Sequence, residues 1–173
     1  MNPEILFKRI DQVCIVVRDL QKTIDHYWNH FGIGPWKIFL FEEPILREMT
    51  IKGEPAKYKM HVAMCQMENV YLEIIQPLSG NTLYKEFLEE KGEGLHHLGF
   101  FVENLDEEMK RFEAKGFRAL QTGRFQGGGF AYLDTQEEFG TLFELIERSR
   151  PRNTPIRVWP ENESEEQHPP EGR

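Results

Sequence analysis

Apolar positions along the chain follow two periods that alternate. Gln12-Val13-Cys14-Ile15-Val16-Val17 is a β-branched run closed by a turn at Asp19-Leu20. Over residues 21–31, Ile24, Tyr27, Trp28 and Phe31 recur at helical spacing, and Gly32 stops them. Runs over 36–41, 58–66 and 70–76 read as strands. An acidic stretch broken by Pro44 makes a longer excursion between the first two, and a Glu68-Asn69 turn joins the last two. Leu83, Tyr84, Phe87 and Leu88 then share one face of a further helix.

The order starts again after that helix. His97-Leu98-Gly99-Phe100-Phe101-Val102-Glu103-Asn104-Leu105 lies over residues 12–20 without a gap. A helix over 106–115 follows, with Met109 and Phe112 as its apolar contacts and Gly116 where Gly32 ended the first. Strands are predicted over 117–121, 129–134 and 141–147, and Leu142-Phe143-Glu144-Leu145-Ile146 overlays Tyr71-Leu72-Glu73-Ile74-Ile75. The chain therefore carries a βαβββ repeat, once with a long excursion and once compact. It predicts a single α+β domain over residues 5–147: module one over about 8–77, a linker helix over about 81–91 and module two over about 94–147. Residues 148–173 are rich in Pro, Glu, Asn and Arg and predict a mostly disordered tail, disordered from about Glu161, with Val158 and Trp159 pinning its first part to the body.

Charge narrows the partners. The formal net charge is −8, and Lys and Arg sit singly among Glu, so phosphate backbones and anionic lipids are repelled and nucleic acid is excluded as a partner. No stretch approaches the ~18 apolar residues that span a bilayer, and the first residues carry no secretion signal, so the expected location is cytoplasmic. Cys14 and Cys65 lie inside apolar runs, as buried reduced thiols do.

Each module has one polar residue in its first strand and one carboxylate in its last: Gln12 with Glu73, and His97 with Glu144. A carboxylate inside an apolar strand is costly unless it is paired, hydrogen-bonded or bound to metal. Two carboxylates, an imidazole and an amide oxygen make a first shell for a hard or borderline divalent ion. His96 is expected on the opposite face of its strand, His26 and His30 on a solvated helix face, and Gly127-Gly128-Gly129 in a flexible loop or lid. His168 falls in the tail.

Five motifs carry a likeness: Ile10-Asp11-Gln12-Val13, Val17-Arg18-Asp19-Leu20, Tyr71-Leu72-Glu73-Ile74-Ile75-Gln76-Pro77, Gly94-Leu95-His96-His97-Leu98-Gly99 and Gly140-Thr141-Leu142-Phe143-Glu144-Leu145. Together they resemble the vicinal oxygen chelate superfamily, the glyoxalase, bleomycin-resistance and extradiol-dioxygenase group. Within it, the Gly-Leu-His-His segment, the helix after Gln76-Pro77-Leu78 and the Gly-rich loop look most like methylmalonyl-CoA epimerases. The resemblance implies a cup-shaped mixed sheet with flanking helices and one divalent ion (Co, Mn, Zn or Ni) held by Gln12, Glu73, His97 and Glu144.

It also implies α-proton abstraction from a 2-substituted acyl thioester, with Glu144 as base on one face. His61 matches the strand position at which epimerases carry a second base. Gln12 stands where epimerases usually have His, and Gln/Glu/His/Glu is the ligand set of one branch of glyoxalase I. A glyoxalase I-type lactoylglutathione lyase and a metal-free binding protein of the bleomycin-resistance kind are therefore the alternatives. The partners implied are a small molecule, an acyl-CoA or a glutathione adduct, and a second copy in a homodimer.

Overall fold

The computed structural model describes residues 6–148 and 151–161. In chain order the elements are β1 (Gln12–Val16), α1 (Leu20–Phe31), β2 (Trp36–Phe41), β3 (Arg47–Ile51), β4 (Glu54–Pro55), β5 (Lys59–Met67), β6 (Val70–Ser79) and α2 (Leu83–Glu90). They continue as β7 (Gly94–Val102), α3 (Leu105–Glu113), β8 (Ala119–Phe125), β9 (Gly128–Leu133), α4 (Gln136–Phe139), β10 (Leu142–Glu147) and β11 (Arg157–Trp159).

The repeat appears in the pairing. In the first module β1 runs parallel to β6, β6 antiparallel to β5, and β5 antiparallel to β2. In the second, β7 runs parallel to β10, β10 antiparallel to β9, and β9 antiparallel to β8. The modules join through an antiparallel β1–β7 seam, so one mixed sheet runs β11-β2-β5-β6-β1-β7-β10-β9-β8-β3-β4. The two first helices begin alike: Asp19 accepts from the Lys22 N–H and Asn104 from the Glu107 N–H, which satisfies orphan donors at equivalent repeat positions. Gly32, at φ 64°, ends α1 with a left-handed residue that a side chain would strain.

Strand alternation sorts the apolar residues onto two faces. On one face, Ile24 of α1 packs with Trp36, Ala63, Cys65 and Ile74, and α3 places Leu105 and Phe112 over Ala131, Leu133 and Leu145. On the other, Cys14, Met60, Val62, Ile75, Phe130 and Tyr132 share a cluster with Leu83, Tyr84 and Leu88 of α2. Side chains of this second face, from strands of both modules, enclose one cavity of about 530 Å³, so the sheet curls into a cup. The helices α1 and α3 flank it outside, while α2 packs within the curve.

The structure departs from the sequence expectation in three loops. The long excursion of module one crosses to module two, where β3 pairs with β8 and the Thr50 and Thr122 hydroxyls meet at 2.7 Å. The glycine run is no lid: Phe125 pairs with Gly128, which leaves Gln126-Gly127 as a tight hairpin turn, and β8 starts two residues later than the predicted strand. After β10, residues 157–159 add an edge strand to β2, with Trp159 opposite Trp36 and the Ile156 N–H donating to the Ile38 carbonyl. Apart from Glu161 itself, the disorder expected from that residue onward lies outside the described residues. No helix among those described is long and apolar enough to cross a membrane.

Trp159 is half-buried against the Trp36 cluster. Trp159→Ala should lower stability by roughly 1–2 kcal/mol, which in a chain of this size shifts the melting temperature by about 2–4 °C per kcal/mol. An unchanged melting curve would show that β11 does not hold to β2.

Candidate metal centre

The four strands nearest the seam each bring one polar side chain to the floor of the cup. Gln12 lies opposite Gly99 across the seam, and Glu144 lies opposite the same Gly99 on the other side. Glu73 and His97 both face Cys14, one as its parallel partner and one as its antiparallel partner. The glycine makes the convergence possible, because a Cβ there would stand 2.8 Å from the Gln12 Cβ and 2.8 Å from the Ile146 Cδ1. The structure thus brings together Gln12, Glu73, His97 and Glu144, all buried.

Their contacts are close. The Gln12 amide Nε2 donates to Glu73 Oε2 and to Glu144 Oε2, each at 3.0 Å. His97 Nε2 lies 3.3 Å from Glu73 Oε2 and 3.0 Å from Glu144 Oε2 but is aligned with neither for a hydrogen bond. Burial alone would lower the His97 pKa, but the carboxylates of Glu144 and Glu73 outweigh it and hold it at about 9. Burial raises the Glu144 pKa, and the nearby Glu73 adds to that, while His97 and a hydrogen bond from the Tyr132 hydroxyl pull it back. Tyr132 in turn meets the Tyr84 hydroxyl at 2.8 Å, so α2 steadies the carboxylate through two phenols.

His96 does not lie on the far face. The β1–β7 register slips between Cys14 and Ile15, which pair with His97 and Leu95, and His96 is the extra residue of a bulge. The bulge turns its ring inward against Tyr84 and Phe87 of α2, with Nδ1 2.8 Å from His97 Nδ1. Burial, then the charge on His97, holds the His96 pKa well below its usual value, and it also hydrogen-bonds the Leu83 backbone. A neutral His96 that donates to Leu83 can only accept at Nδ1. His97 therefore keeps its proton on Nδ1 and turns Nε2 toward the carboxylates.

That arrangement fits a cation. An imidazole Nε2 without an aligned partner, two carboxylates and an amide with its own oxygen stand within one small buried volume, and this donor set suits hard or borderline divalent ions. The buried imidazole already has the outer partner that fixes a ligating histidine. Cys14, two residues from Gln12 on the same face, puts its thiol within 4.8 Å of the ligand atoms of Glu73 and His97. Burial and then Glu73 raise its pKa well above normal, so it stays a thiol. Its spacing from Gln12 was the signal for it, whereas nothing in the sequence marked Tyr132.

His61 is not brought to the site. On β5, His61 shares its face with Ala63 and Cys65 beneath α1, while Met60, Val62 and Met64 face the cup. Strand alternation therefore places it outside, half-buried, where burial and then Lys59 and Arg157 lower its pKa. His26 and His30 lie four apart on α1, and no third ligand joins them among the described residues. His168 lies outside the described residues.

The profile described as Glyoxalase/Bleomycin resistance protein/Dioxygenase superfamily matches residues 11–132. The chain is similar to the uncharacterised protein YqjC of Bacillus subtilis (strain 168), 29% identical over 142 residues that cover 80% of this chain and 91% of that one. It is similar in structure to methylmalonyl-CoA epimerase from Mycobacterium tuberculosis, at 23% identity and a TM-score of 0.59, covering 85% of this chain and 92% of that one. A variant of Streptomyces coelicolor methylmalonyl-CoA epimerase in complex with 2-nitronate-propionyl-CoA is similar at 22% identity and a TM-score of 0.61, covering 86% and 99%. At these identities the two structures bear on the fold.

Gly99→Ala should push Gln12 off the floor and weaken divalent-ion binding by roughly 10–100-fold; calorimetry showing wild-type affinity would contradict the convergence described. The His97 pKa sets a pH dependence as well. Below about 9 the imidazole is charged, so a bound cation displaces one proton. Affinity should then rise about tenfold per pH unit through neutrality and level off above about 9. The ion-free protein should behave oppositely: a raised folded-state pKa gives stability that is complete below the ordinary value of 6.5 and lost as pH rises through about 9.

Proposed function

Because the chain belongs to the glyoxalase/bleomycin resistance protein/dioxygenase superfamily, we propose that it is a divalent-metal-dependent enzyme that moves a proton at the carbon beside a carbonyl. In this reading it is an epimerase of a 2-substituted acyl thioester. The observation that carries the reading is the meeting of Gln12, Glu73, His97 and Glu144 on the floor of an otherwise apolar cup. Two of the structures similar in fold are methylmalonyl-CoA epimerases, one with an acyl-CoA analogue, which supports the substrate class.

A divalent ion held by these four side chains would supply a Lewis acid that acidifies the carbon beside a bound carbonyl. Glu144 takes the proton: its carboxylate reaches the cavity, and burial lifts its pKa toward the range in which it can both accept and return a proton. The C–H electron pair moves toward the carbonyl, Glu144 holds the proton, and its return to the opposite face of the flattened carbon completes the epimerisation. Tyr132, the strand partner of Glu144, stands beside it in the cavity and draws its raised pKa back down. Met60, Val62, Ile75 and Phe130 wall the cup and keep water from the exchanging proton.

One observation favours a second reading. The concave face of β5 offers Met60, Val62 and Met64 and no titratable group, so no base stands where the resemblance placed the second one. With Gln12 in the ligand set, a carboxylate that shuttles a proton alone would suit a glyoxalase I-type lyase of a thiol adduct.

Solvent-deuterium exchange separates the two readings. With a divalent ion present, a panel of 2-substituted acyl thioesters should take up deuterium at the α-carbon. Glu144→Gln should slow this on the order of 10²–10⁴-fold, and His61→Ala should leave it within about twofold because the residue lies outside the cup. No uptake by any thioester, with turnover of a methylglyoxal–thiol adduct, would replace the epimerase with the lyase.

A further inference from the structure

The mouth of the cup carries charge that the floor chemistry does not use. Arg148, just past β10, lines the cavity with its guanidinium carbon 4.6 Å from the centre of the Phe101 ring and 5.6 Å from that of Tyr71. Its Nη2 donates to the Tyr71 hydroxyl at 3.1 Å. Two rings and one donated hydrogen bond thereby hold the group still, and the other N–H donors of the planar five-donor fork remain. Among the described residues no carboxylate pairs with it.

Arg152 lines the same cavity from residues 151–155, a strap that β11 ties to the edge of β2. It is exposed, and again no carboxylate among the described residues pairs with it. Lys37 of β2 is a third cation around the opening. A chain of net charge −8 has ample acid with which to neutralise such groups, yet the acids that reach this cavity, Glu73 and Glu144, lie on the floor and are engaged by Gln12 and His97. Cations gathered at an apolar opening repel one another until an anion joins them. A second cavity of about 670 Å³ adjoins the first and shares Phe39, Phe41, Arg152 and Asn153 with it, so Arg152 stands where the two spaces meet.

We infer that Arg148 and Arg152 form an anion receptor at the mouth of the cup, specific for a substrate that carries a carboxylate or phosphate group separated by an apolar portion from the atoms facing the floor. Arg148 is the rigid element, because stacking holds its fork in one plane where two parallel N–H···O bonds can form. Arg152 comes from the strap, so the segment after the second module selects the substrate. The inference rests on the cup being the ligand site proposed above and is independent of which proton-transfer reaction occurs there.

Calorimetry on the full chain, prepared without divalent ions, tests it with phenylbutyrate, phenylbutyl phosphate and the neutral phenylbutyramide. Without a divalent ion the floor sets two carboxylates against the single charge of His97 and offers an anion no net attraction, so a preference that R148Q and R152Q remove arises at the mouth. One or both anions should bind roughly tenfold or more tightly than the amide, and the tighter anion identifies the group. R148Q and R152Q should each remove most of that preference and leave the amide unchanged. Arg152 is exposed, so R152Q alone decides the matter if R148Q does not fold. Equal binding of amide and anions, no anion binding at millimolar concentration, or a preference that survives both substitutions would overturn the receptor. Absence of deuterium exchange would overturn the epimerase reading and leave these results untouched.

Discussion

Two carboxylates cannot share a buried floor unless something stands between them. Glu73 and Glu144 are both nearly inaccessible, and a pair of like charges at such a site normally keeps one proton. Here the Gln12 amide donates to both at 3.0 Å and the His97 imidazole lies within 3.3 Å of both, so one neutral donor and one cation hold the pair together. The rest of the structure serves that compensation. Each module places one carboxylate in its last strand beside its own first strand, and the antiparallel seam brings the two first strands together, which sets four side chains at one level.

Small local features tune the arrangement. Gly99 removes a side chain where Gln12 and Glu144 must converge, and a larger residue would drive Gln12 away. The bulge at His96 provides a second imidazole beneath the first, held by α2 through Tyr84, Phe87 and the Leu83 backbone. The same helix reaches Glu144 through Tyr84 and Tyr132. A helix that the sequence presents as a linker is thus the support of the floor, and its place inside the curve of the sheet follows from that.

The parts of the fold written in periodic patterns were legible. The βαβββ repeat and the four polar residues at matched strand positions follow from periods of two and 3.6 and from the cost of an unpaired carboxylate in a strand. What was not legible depended on register. The side on which His61 falls depends on the phase of β5, which the long excursion before that strand leaves unset. His96 turned inward because a bulge breaks the alternation from which its face was read. The docking of β3 on β8 and of β11 on β2 joins segments far apart in sequence that carry little apolar pattern of their own. Arg148 lay in what read as tail, and its stacking on Tyr71 and Phe101 exists only once the strands carrying those rings are side by side.

If the four side chains on the floor form one divalent-ion site, the folded chain must retain a metal. Elemental analysis after loading with Mn, Co, Ni or Zn and exhaustive dialysis tests it most directly. One tightly held ion per chain is expected for at least one of these metals, with its loss when Glu73 and Glu144 are both replaced by Gln. Retention of no ion by the folded wild-type chain, or an equal amount by the double variant, would contradict it.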